Sequence, residues 1–342
     1  MTESTDWTDA ELGRAKPLPT LLACCGALAA TPARMFRPRR PDKGVLASIS
    51  DAGLPFARAS VRLTALTQTG QTAPTALIAE GVRDPRHLRL GMTTFLVEHP
   101  KARFLVDPAV CADVHERVLP QLAKPLQRFV APEKPVIGLA DMLGRVDVDV
   151  ADIDFALPTH LHWDHVSGLL ELPASIPVST NAVEHDWALA GPVAPLGVAR
   201  GPLLGRTFQL YELDGPPVST FTRSHDVFGD GSVVLVDLPG HTPGSVGVLL
   251  AVDDGSRVLL AGDSIWHGLQ ATLLRGTAPF LGRIIDHDHE GAAFDTIHRL
   301  HVLTNEVTVV ASHDHGAASR LPRWYSGVSA DSNNEPPAGP QR

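Results

Sequence analysis

Seven histidine and aspartate side chains of this chain have the residue types and the spacing of metal ligands. Four fall in one short stretch and three stand alone further along the chain: His160, His162, Asp164 and His165, then His241, Asp263 and His313. Imidazole and carboxylate bind borderline and hard divalent metals, and catalytic sites leave a coordination position open for water. Seven such ligands are enough for two metal ions, so the pattern predicts metal-assisted chemistry.

The four clustered ligands are predicted to lie on one loop between a strand and a helix. Residues 153–157 are apolar enough for a buried strand, a proline follows, and residues 166–172 have the pattern of a starting helix. Side chains two residues apart in an extended segment project to the same side, so His160 and His162 can close on one metal. The other two ligands lie past the bend and can turn to a second metal.

The three isolated ligands are predicted to lie at the ends of strands. His241 sits in a glycine-containing turn between two apolar runs, and Asp263 and His313 each follow an apolar run that ends in a small residue. Folds that combine strands and helices place their sites at such strand ends. We therefore expect these side chains to meet the clustered ligands at one edge of the fold.

The chain contains four motifs in a fixed order: a His-x-His-x-Asp-His stretch, a Pro-Gly-His turn, a Gly-Asp-Ser and a late Ser-His-Asp. This order resembles the metallo-β-lactamase-fold hydrolase superfamily, and it is nearest in pattern to the N-acyl homoserine lactonase group of that superfamily. The resemblance covers residues 58–325. It implies two divalent metal ions, with zinc the expected element. It implies a first metal held by His160, His162 and His241, a second held by Asp164, His165 and His313, and Asp263 as the bridge between them.

Two hairpins are predicted from paired apolar runs. Residues 94–97 and 104–106 form the first, and residues 246–252 and 258–261 form the second across an Asp-Asp-Gly turn. Each hairpin is followed by an acidic residue, Asp107 in the first and Asp263 in the second. This similarity predicts an internal repeat of two half-domains.

Helical patterns at residues 109–119, 136–143 and 292–302 alternate with the strands. They predict an α/β fold with two mixed sheets face to face and helices outside, and the resemblance implies the same αββα four-layer sandwich. The predicted division of the chain is an N-terminal extension, a hydrolase domain and a disordered tail: residues 1–56, 57–325 and 326–342.

The resemblance implies a hydrolase in which a hydroxide between two metals attacks a lactone or ester carbonyl. Asp263 would hold the metals together, and Asp164 would ligate while orienting the nucleophile or relaying a proton. Oxygen-reducing di-iron members carry a glutamate where this chain has His162, so hydrolysis is favoured over redox chemistry. The favoured substrate resembles an N-acyl homoserine lactone, and the alternative is an aryl ester, a phosphotriester or a thioester.

Two further residues are predicted to line a substrate pocket, Trp266 and His225. Lactonases of the group place a tyrosine three residues after the bridging aspartate, where this chain has Trp266, which implies a wider, more apolar pocket or a different substrate. For His225 the alternative is a solvated position on a loop. Residues 287–289 are predicted to form a loop before a helix, and the alternative is that they join the pocket. Asp107 is predicted to orient a ligand histidine rather than to bind metal.

The composition limits the remaining classes of function. A net charge of −9 and a pI near 5.9 argue against a nucleic-acid partner, and the chain has no run of 18 apolar residues that would predict a membrane span. Three cysteines, two of them adjacent, favour a reducing compartment and hence the cytoplasm. A weakly signal-like stretch at residues 18–29 keeps export as the alternative. The expected partner is a small-molecule substrate, with a homodimer as the candidate assembly.

Overall fold

A computed structural model describes residues 7–13, 17–303 and 306–327 of the 342-residue chain. The strands in this part are β1 (Arg62–Pro74), β2 (His87–His99), β3 (Ala102–Val106), β4 (Phe155–Leu157), β5 (Val178–Asn181), β6 (Phe208–Tyr211), β7 (Ser224–Asp226), β8 (Val233–Asp237), β9 (Val246–Ala251), β10 (Arg257–Leu260), β11 (Val307–Val310) and β12 (Trp324–Ser326). They form one sheet in the order β12-β1-β2-β3-β4-β5-β6 and a second in the order β11-β10-β9-β8-β7. Both sheets mix parallel and antiparallel pairs.

The helices of the described residues lie before, between and after the strands. They are α1 (Asp9–Leu12), α2 (Pro17–Phe36), α3 (Lys43–Ser48), α4 (Thr75–Ile78), α5 (Val114–Arg117), α6 (Lys124–Val130), α7 (Leu139–Gly144), α8 (Trp163–Val166), α9 (Ala182–Leu189), α10 (Gly268–Leu273), α11 (Pro279–Ile285), α12 (Ala292–Val302) and α13 (His315–Ala318). Short 3-10 helices occur at Leu119–Gln121, Val150–Asp152, Ser167–Glu171 and Gly201–Leu203.

The alternation of side chains along the strands produces four layers. Neighbours on a strand point to opposite faces, so Phe104 of β3 packs between the sheets while the next residue, Leu105, packs outward. Leu105 shares its cluster with Met142 of α7, which covers the first sheet. On the second sheet, Leu249 of β9 packs outward against Phe294 of α12. The predicted αββα sandwich is confirmed.

Both predicted hairpins are present, one in each sheet. In the first, Leu96 pairs with Leu105 across the β2–β3 turn. In the second, Leu250 of β9 pairs with Val258 of β10. Because each β-strand pattern carried its own turn signal, local sequence was sufficient to predict these pairings.

The helix predictions are confirmed to different degrees. Helix α12 has the predicted bounds, and α7 begins three residues later than predicted. The prediction at residues 109–119 was wrong for its first half, because a regular helix covers only α5 and a 3-10 turn follows it. The helix predicted to start at residue 166 instead begins with α8 and continues as a 3-10 helix.

The N-terminal segment contacts the helices beside the site. The backbone N–H of Phe280 in α11 donates to Thr31 Oγ1 of α2 at 3.0 Å. The buried Glu80 carboxylate accepts from Arg34 Nη2 at 3.1 Å and from the Arg39 backbone N–H at 3.0 Å. The side chains of residues 17–26 lie outside the described part. In the described residues, no helix combines the length and apolarity needed to cross a bilayer.

The predicted domain boundaries stay predictions, with one detail supplied by the structure. Strand β12 pairs with β1, and Ser326 lies opposite Thr67. The first residue of the predicted tail therefore belongs to the sheet. Residues 328–342, which make up nearly all of that tail, lie outside the described residues.

Candidate metal centre

The first group of candidate ligands consists of three buried histidines. His160 and His162 follow β4, and His241 lies in the turn after β8. His162 Nδ1 lies 3.2 Å from His160 Nε2 and 2.9 Å from His241 Nε2. Their ligand atoms all lie within 4.8 Å of one another, so the three rings converge as ligands of one cation do.

The second group combines two histidines with two aspartates, Asp164, His165, Asp263 and His313, whose ligand atoms also lie within 4.8 Å of one another. His313 Nε2 lies 3.1 Å from Asp263 Oδ2 and 3.4 Å from Asp164 Oδ2. Asp263 Oδ1 lies 3.2 Å from His165 Nε2, and its Oδ2 lies 3.6 Å from His241 Nε2 of the first group. The structure thus brings all seven predicted residues together, with Asp263 between the two groups.

Two histidines of the first group, His160 and His162, have lowered pKa values because of their surroundings. Burial, together with the neighbouring histidines, holds the pKa of His160 well below its usual range. Burial and His241 lower the pKa of His162 to about 3. A neutral imidazole keeps a lone pair for a cation, so these rings have the protonation state that metal binding requires.

Carboxylates dominate the electrostatics of the second group. Burial alone would lower the pKa of His313, but the carboxylates of Asp263 and Asp164 raise it to about 10. In the same way, Asp263 and Asp107 raise the pKa of His165 well above its usual range in spite of burial. Burial opposes ionisation of Asp263, yet His313 and His165 hold its pKa well below the usual range. The carboxylates of this group therefore favour a positive charge beside them, which a divalent cation would supply.

Unpaired buried atoms test whether a metal fits. Both ring nitrogens of His165 and the Oδ1 atom of Asp263 are buried without an aligned hydrogen-bond partner in the described residues. Leaving a buried polar atom unpaired costs about 1–3 kcal/mol. A divalent cation would give His165 Nε2 and Asp263 Oδ1 the partner that they lack, so the donor set fits a two-metal site.

Asp107 supports the second group from the end of β3. Its side chain accepts from the Thr159 backbone N–H at 2.6 Å and from Ser312 Oγ at 2.8 Å. Its Oδ2 atom also lies 3.0 Å from His165 Nδ1. The position agrees with the predicted orienting role, because Asp107 contacts a candidate ligand histidine and the residues that precede two others.

Glu184, which the sequence analysis missed, joins the two loops of the first group. This buried residue of α9 accepts from the Leu161 backbone N–H at 2.9 Å, from Thr242 Oγ1 at 2.7 Å and from the Gly244 backbone N–H at 3.1 Å. Position 244 requires glycine, since a Cβ atom there would lie 2.4 Å from the Glu184 backbone nitrogen. An acidic residue in the first turn of a helix after a strand is too common a signal to have revealed this contact.

An open cleft of about 510 Å³ exposes the two groups to solvent. Apolar side chains form most of its wall: Met92, Leu126, Val130, Trp163, Leu196, Trp266, Ile284 and Ile285. Trp266 is one of these residues; its ring lies 5.2 Å from that of His313, and its Nε1 atom is buried without a partner in the described chain.

The other pocket predictions have different outcomes. His225 is not among the described residues that line the cleft, and its ring instead stacks on Tyr211 at 5.2 Å. Of residues 287–289, Asp288 accepts from the backbone N–H groups of Gly291 and Ala292 at the start of α12. This agrees with the alternative of a loop before a helix.

Comparison with known proteins gives a family match from the sequence and a shared fold from solved structures. The model of the metallo-beta-lactamase superfamily matches residues 90–313. The N-acyl homoserine lactonase AttM of Rhizobium radiobacter is 24% identical over 193 residues, which are 55% of this chain and 70% of that protein. An N-acyl homoserine lactone hydrolase solved with N-hexanoyl-L-homoserine at its catalytic metal centre has a TM-score of 0.57 and 18% identity, covering 79% of this chain and 98% of its own.

A second solved structure extends the comparison to a dizinc enzyme. AidC, a dizinc quorum-quenching lactonase solved with a homoserine product, aligns with a TM-score of 0.50 and 14% identity over 76% of this chain and 90% of its own. At these identities the structural matches establish the fold alone. The family match covers both candidate ligand groups, and on that evidence the chain belongs to the metallo-beta-lactamase superfamily.

Proposed function

We propose that the protein is a dinuclear-metal-dependent hydrolase of lactones or esters. The observation that carries the proposal is the convergence of seven histidine and aspartate side chains in two groups that share Asp263. The nitrogen-rich donor set suits zinc. When bound, two such ions would activate a water molecule, polarise the scissile carbonyl and stabilise the leaving oxygen.

The residues divide into two candidate ligand sets. His160, His162 and His241 would hold one ion, and Asp164, His165 and His313 would hold the other, with Asp263 between the two. Asp164 is the most exposed of these side chains, since 13% of it faces the solvent, and it lines the cleft. It is therefore placed to orient a substrate or to accept a proton while it ligates.

No cysteine nucleophile is needed for this reaction. Cys111 is buried in an apolar cluster, and burial raises the pKa of its thiol. A buried neutral thiol is a poor nucleophile. Hydrolysis by the metal centre is therefore the chemistry that the residues of the cleft support.

The wall of the cleft favours an uncharged substrate with an apolar substituent. No lysine or arginine is among the described residues that line it, so no cationic side chain there would anchor a charged group of the substrate away from the metal centre. Met92, Leu126 and Ile284 instead offer apolar surface beside the candidate ligands. A lactone or ester that carries an acyl chain has this chemistry, as do the lactones named for the relatives above.

A panel of substrates tests the proposal on zinc-loaded protein. It comprises acyl homoserine lactones, γ-lactones, p-nitrophenyl esters, a phosphotriester and a thioester. We expect the highest kcat/KM on a lactone or ester, a severe loss in His162→Ala, and full activity in the matched control His225→Ala, whose histidine lies away from the cleft. Activity that survives in His162→Ala, or in protein free of metal, would refute the proposed mechanism.

A further inference from the structure

The ring of His241 is held from two sides. Its Nε2 atom faces the first group, 2.9 Å from His162 Nδ1. Its Nδ1 atom lies 3.0 Å from Oδ1 of Asp286, a largely buried residue at the end of α11. A carboxylate only accepts hydrogen bonds, so Nδ1 carries a proton, and Nε2 is the nitrogen that can offer a lone pair to a cation. Asp286 thereby selects the tautomer that presents Nε2 to a cation.

Asp286 is itself fixed by a second set of contacts. Its Oδ2 atom lies 2.8 Å from Nδ1 of His289, and Thr277 Oγ1 donates to the same oxygen at 3.4 Å. His241, Asp286 and His289 thus form a continuous row that runs away from the cleft. A carboxylate that is hydrogen-bonded on both sides has little freedom to turn, so it holds the imidazole in one orientation.

Backbone contacts reinforce the same arrangement. The N–H of His287 donates to the carbonyl of His241 at 2.8 Å, and the N–H of Asp288 donates to the carbonyl of Gly240 at 2.9 Å. Gly240 has a φ of +129°, and a Cβ atom there would lie 2.1 Å from the backbone nitrogen of Ala293. The segment after α11 therefore lies directly behind the turn that carries His241.

We propose that Asp286 is the positioning residue for His241 and that His289 supports it. The inference rests on the proposed function, since it assigns His241 to a metal. Asp286 would not touch the ion or the substrate, and its effect on the site would pass through the imidazole. The segment 286–289 would therefore support a metal ligand from behind, and its role would be neither to bind metal nor to line the substrate cleft.

The test measures zinc affinity instead of turnover. Metal-free protein is titrated with zinc against a chromogenic chelator, and its melting temperature is recorded separately. In Asp286→Asn the affinity for one of the two ions should fall roughly 10- to 100-fold, the range for loss of a partner behind a ligand histidine. The matched control is Asp288→Asn, which replaces one of the two carboxylate oxygens that accept from Gly291 and Ala292 at the start of α12 and should lower the melting temperature without changing either affinity.

The outcomes separate this inference from the proposed function. Wild-type protein that binds no zinc would refute the proposed function, whereas wild-type protein that binds two ions while Asp286→Asn stays within twofold would overturn this inference alone. Equal losses of affinity in Asp286→Asn and Asp288→Asn would also overturn it. If Asp286→Asn does not fold, His289→Ala replaces it, and an unchanged affinity in that variant overturns the inference.

Discussion

Replacing Glu184 by glutamine tests whether one buried carboxylate holds the first ligand group together. One carboxylate oxygen accepts from the Leu161 N–H, between His160 and His162, and the other accepts from Thr242 Oγ1 and the Gly244 N–H, just after His241. Glutamine has the same shape but only one acceptor oxygen. In either orientation its NH₂ group faces a backbone N–H, so at least one of the two loops loses its partner.

The magnitude follows from these contacts. Losing one charge-assisted hydrogen bond and leaving its donor unpaired costs about 2–3 kcal/mol. Burial raises the pKa of Glu184, so the ionised side chain carries a burial penalty that the neutral amide escapes. We therefore take about 2 kcal/mol as the net loss, which corresponds to a fall of roughly 4–8 °C in melting temperature for a domain of this size.

The assay combines thermal melting with elemental analysis. We expect Glu184→Gln to melt at a lower temperature and to lose part of its zinc, because the loops that carry the three histidines are no longer joined. The same substitution at Glu116, an exposed residue that pairs with Lys134 on the surface, is the control and should change neither quantity. If both variants melt within one degree of the wild type and retain equal zinc, Glu184 does not have this role.

Three other predictions concern Trp266, the pKa values of two histidines, and Glu80. Trp266→Tyr should raise the rate on acyl homoserine lactones relative to p-nitrophenyl esters, and a fall in that ratio at equal metal content would favour the ester or phosphotriester alternative. Metal-free protein should become more stable to urea as the pH rises from about 3 to 6.5, because folding lowers the pKa of His162. It should lose stability as the pH rises further from about 6.5 to 10, because folding raises the pKa of His313. A stability that does not change with pH would contradict both shifts. Glu80→Gln should lower the melting temperature by several degrees, and no change would show that contact with the N-terminal segment adds little stability.

The convergence of the candidate ligands could be expected from the sequence because their signals are local. The stretch from His160 to His165 is one short segment that runs from the end of β4 into α8, and Asp263 and His313 directly follow apolar runs. Strand ends can be recognised from a few residues, and the fold brings those ends to one edge. The hairpin of β2 and β3 was predictable for the same reason, since its turn and both strands are adjacent in sequence.

Asp107 was predicted to orient a ligand histidine, whereas Glu184 and Asp286 were not, and the partners of all three could not be predicted because their contacts span long stretches of chain. Asp286 reaches His241 across 45 residues, and Asp107 reaches Ser312 across 205. An aspartate after an apolar segment has many possible partners, and only the packing of the two sheets selects one. His225 shows the converse, because its turn-rich surroundings left a pocket position open, whereas its ring stacks on Tyr211 of the other sheet.

The long-range contacts also explain how a site at the edge of two sheets can be rigid. Asp107 follows β3 of the first sheet, whereas Ser312 follows β11 of the second, so their hydrogen bond of 2.8 Å crosses from one sheet to the other. Asp263, after β10, lies in the same way beside His165 of the loop after β4. Carboxylates therefore join the two halves of the sandwich where the apolar core ends. A cation shared by the same side chains would strengthen that connection, since ligands that bind only the folded state stabilise it.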